Sequence, residues 1–124
     1  GDARLSGIAA EDIGKVALGI FRAGPSLAGA TVSIAGDHLT GDEMAAALSE
    51  TFGEPVRYVA IDPATYRGLG FPGAEDLGNM FQFKRDFNDY FVGARDLDAT
   101  RGYAPDLMDF RTWLARYGDR IPRS

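Results

Sequence analysis

The sequence predicts a mixed α/β fold that is richer in helix than in strand. Three observations carry this expectation. Apolar residues recur at helical spacing in several stretches, as at Ile13, Val16, Ala17, Ile20 and Phe21. Only two short runs, residues 31–35 (TVSIA) and 56–61 (VRYVAI), read as strands. Helix punctuation lies between them: Gly24-Pro25 as a stop, Thr40 and Glu43 as a capping box, and Asp62-Pro63 as a start.

Taken in order, the first helix carries Glu11 and Asp12 in its opening turn, where the positive end of the helix dipole favours acids. Its stripe of Ile13, Val16 and Ile20 is expected to be core. The strand at 31–35 is expected to end at Gly36-Asp37. The helix begun at Thr40 presents Met44, Ala45, Leu48 and Phe52 on one face, and Gly53 and Pro55 end it. After the strand at 56–61, Asp62 caps a short helix with Pro63 at its first position. A further helix is expected from 74 to about 84. Residues 86–105 show aromatics without a clean period. Leu107, Phe110, Leu114 and Tyr117 return at helical spacing, with Asp106 near the start of that last helix.

Composition narrows the function. The chain has 124 residues, enough for one domain or part of a larger one. It opens Gly1-Asp2-Ala3 without an initiator Met, as a processed or partial chain would. It has no cysteine, so a disulfide framework and thiolate chemistry are excluded, and a reducing, cytoplasmic setting is expected. No apolar run is long enough to span a bilayer and no leader pattern is present. The net charge of −5 argues against nucleic acid or an anionic membrane as partner. Lys84-Arg85 beside Phe83 and Phe87 is too small a basic cluster to reverse this. Asp86, Asp89, Asp96 and Asp98 lack the glycine and closing glutamate of a calcium loop, so no metal site is expected. Lone His38, without a nearby second ligand or base in the sequence, is expected to be a turn residue rather than a proton shuttle.

The stretch Gly68-Leu69-Gly70-Phe71-Pro72-Gly73 matches G-x-G-x-x-G, the form of a dinucleotide-binding loop. Such a loop follows a buried strand directly and opens a helix. Here the preceding residues look helical. Pro72 also stands where backbone N–H groups would meet phosphate, and proline has none. The expected structure is a helix end, a turn and a new helix.

The longer segment from Tyr66 to Phe83, YRGLGFPGAEDLGNMFQF, resembles part of the NmrA-like proteins, atypical members of the short-chain dehydrogenase superfamily. Residues 8–14 (IAAEDIG), 32–40 (VSIAGDHLT) and 110–114 (FRTWL) are similar to later pieces of that superfamily, in the same order. The resemblance covers nearly the whole chain but only the C-terminal part of the family. It implies a single lobe, residues 1–124, that completes an N-terminal Rossmann domain absent from this chain. NADP or NAD would be held by that half and not by this chain alone. The family's Tyr-x-x-x-Lys pair does not occur here, so the resemblance leaves open an oxidoreductase or a redox-sensing regulator. A small-molecule substrate or a regulatory protein is the implied partner, together with the Rossmann half.

Phe71, Met80, Phe81, Phe83 and Phe87 could pack a core or line an apolar pocket, and the residues alone leave both readings open. The resemblance implies the second, because the matching segment of the family folds over the cleft beside the nicotinamide. It makes Phe71, Pro72, Met80, Phe81 and Phe83 the candidate substrate-pocket residues; no catalytic, cofactor-binding or metal-binding residue is expected in the chain. The alternative is an autonomous protein-interaction module with no cofactor.

Overall fold

A computed structural model describes residues 2–123. Strand β1 (Arg4–Gly7) leads into α1 (Ala10–Ala23), which a 3₁₀ turn (Gly24–Leu27) follows. Then come β2 (Asp37–Thr40), α2 (Gly41–Phe52), α3 (Pro63–Arg67), α4 (Ala74–Asp86), α5 (Asn88–Gly93), α6 (Leu97–Tyr103) and α7 (Phe110–Tyr117). The two strands form an antiparallel pair with Leu5 opposite Leu39 and Ser6 opposite His38. The expectation of a mainly helical α/β chain with few short strands therefore holds.

The caps legible in the sequence are present. The Thr40 side chain accepts from the Glu43 amide, and the Glu43 carboxylate accepts from the Thr40 amide. Asp62 accepts from the amides of Ala64 and Thr65 and opens α3. The last helix starts later than expected, at Phe110, because Asp109 rather than Asp106 caps it by accepting from the Thr112 amide at 2.7 Å.

Both expected strands are absent. Residues 31–35 and 56–61 form no ladder, since no strand of the described residues lies beside them. The side-chain pattern that suggested strands says nothing about whether a partner is within reach. The backbone there turns to other groups: the Ala35 amide donates to Thr100 Oγ1, and the Val56 amide donates to Ser49 Oγ. The paired residues lie instead at β1 and at β2, which begins at the Gly36-Asp37 dipeptide expected to end a strand. His38 is accordingly a strand residue, not a turn residue.

The core centres on Val16, Ala104 and Leu107, with Ile8, Ile20, Ile34 and Tyr103 packed around them. Helix α1 crosses α6 so closely that a Cβ on Gly19 would lie 2.1 Å from the Tyr103 carbonyl oxygen. Buried Asp12 fastens α1 to the segment before α7: its Oδ2 accepts from the Met108 amide at 2.8 Å. Lys15 lies 3.6 Å from Asp12 Oδ1 and donates to Asp106 Oδ2 at 2.9 Å. The stripe expected to be core is only partly so. Val16 is fully buried, but Ile13 is half exposed and Phe21 is 79% exposed, because the neighbours of α1 cover one side of it.

Candidate functional site

Helices α3 and α4 form a hairpin around Tyr66. The rings of Phe71 and Phe81 meet Tyr66 edge-on, at 5.8 Å and 5.6 Å between centroids. Arg67 donates to Gln82 Oε1 at 2.7 Å and to Asn79 Oδ1 at 3.3 Å, tying the short helix to the long one. The turn between them is the GLGFPG stretch, as its residues suggest. Gly70 and Gly73 have φ of 73° and 88°, a left-handed backbone that residues with a Cβ avoid.

Two amides of this turn, and the first of α4, already have acceptors. Gly68 donates to Ala64 and Thr65, Leu69 to Tyr66, and Ala74 to Phe71. Pro72 has no N–H, and Glu75 and Asp76 place negative charge at the start of α4. With proline in the loop and two acids in the first turn of α4, the turn does not fit a dinucleotide phosphate, which needs donor amides at a positive helix end.

The candidate pocket residues Phe71, Met80, Phe81 and Phe83 divide between two sides of α4, and Pro72 lies in the turn before it. Phe71, Met80, Phe81 and Phe83 are each between 37% and 47% exposed, and Pro72 is exposed. They are therefore not core among the described residues. Phe71 and Phe81 converge on Tyr66. Phe83, roughly 200° around the helix from Phe81, stacks on Phe87 at 5.0 Å instead. Met80 belongs to the Phe83 side by the same helical spacing.

Of the five, Phe81 lines an open groove of about 590 Å³. Tyr58, Val59, Ile61, Tyr66, Phe81 and Met44 supply its apolar lining. Gly41 permits this arrangement, since a Cβ there would meet the Tyr58 ring at 2.5 Å. Lys84 also lines it, with its ammonium 5.1 Å from the Phe91 centroid and 5.8 Å from that of Phe81. Arg4, Arg85 and Asp62 line the same groove. The Thr65 hydroxyl and amide bound to Asp62 hold its carboxyl below the usual range, and Arg85 does the same for Asp86. Sequence reasoning missed Tyr58, Val59 and Ile61 because an apolar run beside a turn reads as strand. It missed Lys84 because two adjacent cations carry no pattern.

A second cavity, of about 370 Å³, is walled almost wholly by apolar side chains from β1, β2, α2, α7 and the segment before α7, including Leu39, Met108, Phe110 and Trp113. Leu5 and Met44 border both spaces. Asp37 reaches this cavity, yet its oxygens already accept from the His38 and Phe110 amides. His38 is similarly committed. Its Nε2 lies 2.7 Å from the Arg95 carbonyl, which can only accept, so Nε2 carries the proton. Its Nδ1 accepts from the Ser6 hydroxyl at 2.8 Å. His38 thus clasps β1, β2 and the end of α5. Three of the four acids of 86–98 have local partners as well: Asp86 pairs with Arg85, Asp96 caps α6, and Asp98 faces Arg101 at 3.9 Å.

No helix is long and apolar enough to cross a membrane among the described residues. The model of the NmrA-like family matches residues 2–114, from before β1 into α7. At the family level this carries NAD(P) binding and an oxidoreductase-like or regulatory function. With all but the final residues of α7 and the tail inside that match, the chain belongs to the NmrA-like family.

Proposed function

We propose that this chain is the substrate- or partner-side lobe of an NmrA-like NAD(P)-binding protein, and that a Rossmann half carries the cofactor. The observation that best supports this is an unfinished face. Residues 31–35 have strand-forming side chains and no ladder partner, and their Ile34 packs on Val16 of α1. On the same helix Ile13, Leu18 and Phe21 are exposed. A segment with strand-forming side chains and no ladder partner, beside an apolar helix face, is what a lobe offers to a larger sheet. The GLGFPG turn agrees, because Pro72 has no N–H and Glu75 and Asp76 stand at the start of α4, so the phosphates would be held elsewhere. In such a protein the exposed Phe71, Met80, Phe81 and Phe83 roof the cleft over the nicotinamide, against a small-molecule substrate or a regulatory protein partner. The NADP or NAD itself supplies hydride chemistry when bound.

Calorimetry tests the reading. The product of the whole gene should bind NADPH in the micromolar range, whereas this chain alone should show no binding up to about a millimolar, near −4 kcal/mol. A micromolar isotherm from the isolated chain, abolished by replacing Gly68 and Gly70 with bulky residues, would overturn the lobe assignment. Failure of the whole gene product to bind either nucleotide would leave the autonomous interaction module as the better account.

A further inference from the structure

The groove beside α4 gathers Arg4, Lys84 and Arg85 against one acid, Asp62, in a chain of net charge −5. The acid is engaged by Thr65 and Ala64, and Arg85 is engaged by Asp86. Arg4 and Lys84 pair with no carboxylate among the described residues. The rings of Phe81 and Phe91 hold the Lys84 ammonium in place without neutralising it. We propose that this groove binds a small organic anion with a flat apolar body. Its carboxylate pairs with Lys84, and its ring lies against Tyr58, Tyr66 and Phe81.

Each part of the ligand answers a feature of the site. A neutral molecule would cover the apolar walls but bring Lys84 no counter-ion as water is displaced, which raises the cost of keeping the charge. An inorganic anion would satisfy Lys84 and leave the walls wet. The groove, at about 590 Å³, has the size of a small-molecule site. All the groups belong to this chain, so the inference goes beyond the lobe reading and does not rest on it.

Titration of this chain with naphthalene-2-carboxylate and its neutral carboxamide tests the proposal. The carboxylate should bind about fivefold or more tighter at low salt, the scale of a favourable partly exposed ion pair. That advantage should shrink as the ionic strength rises to about 1 M, where screening reaches ~3 Å. Lys84→Met, which keeps the apolar stem, should bring the carboxylate down to the carboxamide's affinity and leave the melting curve unchanged. Tyr58→Ser, on a segment without ladder partners, should weaken both probes alike. Equal affinities, binding of neither probe, or an advantage that survives high salt or Lys84→Met would overturn the proposal. Inorganic phosphate competing as well as the naphthoate would overturn the apolar half of it.

Discussion

Two glycines on α1 separate close packing from helix propensity. A Cβ on Gly19 would strike the Tyr103 carbonyl, and backbone cannot move aside as a side-chain tip can. Gly19→Ala should therefore destabilise by roughly 1–3 kcal/mol or more, the cost of overpacking. Gly14 has nothing within 4 Å of its would-be Cβ. Gly14→Ala should stabilise the isolated chain by about 0.5–1 kcal/mol, because alanine loses less backbone freedom in a helix. Urea denaturation of the two variants should shift in opposite directions, and equal shifts would mean that α1 does not cross α6 as described. Leu114 is also buried, and Leu114→Ala should cost about 2–5 kcal/mol in the same assay. Leu114 could be read from its stripe. Gly19 could not, because Tyr103 lies far along the chain and no local pattern announces a crossing.

The same division between local and distant causes appears in whole elements. The starts of α2 and α3 were legible because a cap and its partner lie within three residues of each other. Helices α5 and α6 were hidden by their brevity, since six or seven residues span under two turns and show no period. Strands need a partner, and the four-residue ladder of β1 with β2 joins segments separated by the whole of α1. The Asp-His-Leu-Thr sequence of β2 gives little alternation to detect. A cap also gives an element its pH dependence. Hydrogen bonds from the Thr112 amide, and then from its side chain, lower the Asp109 carboxyl below its ordinary value. The unfolded chain then binds more protons as pH falls, so the stability contributed by this cap is present above the ordinary carboxylate range. It is lost as pH drops from about 5 through the folded-state value. Asp109→Asn keeps a capping oxygen but cannot titrate. Its melting temperature should fall less between neutral and acid pH than that of the native chain. An unchanged acid dependence would mean that Asp109 does not set it.

At the scale of the whole molecule, the candidate pocket residues and the core residues should respond to mutation in opposite ways. The aromatic segment was legible as apolar and helical, but its sequence could not distinguish a core from a pocket, because both need the same side chains. The structure leaves Met80 and Phe83 substantially exposed and buries Val16 completely. Truncating an exposed side chain opens no cavity, so Met80→Ala and Phe83→Ala should change the stability of the chain by less than about 0.5 kcal/mol. Val16→Ala removes two buried methyl groups and should cost about 2 kcal/mol. In the product of the whole gene, if the outer face of α4 roofs a ligand cleft, Met80→Ala and Phe83→Ala should weaken ligand or partner binding by ~1–3 kcal/mol, the scale of lost apolar contacts. Val16→Ala should leave affinity unchanged once the folded fraction is taken into account. The two sides of α4 can also be resolved. Phe81→Ala should weaken naphthoate binding to the isolated chain, whereas Phe83→Ala should not, since only Phe81 of the pair lines the groove. If Met80→Ala and Phe83→Ala lower the melting temperature and spare affinity in the whole gene product, that face is covered by protein rather than ligand. The roof over the cleft must then be sought elsewhere on this lobe.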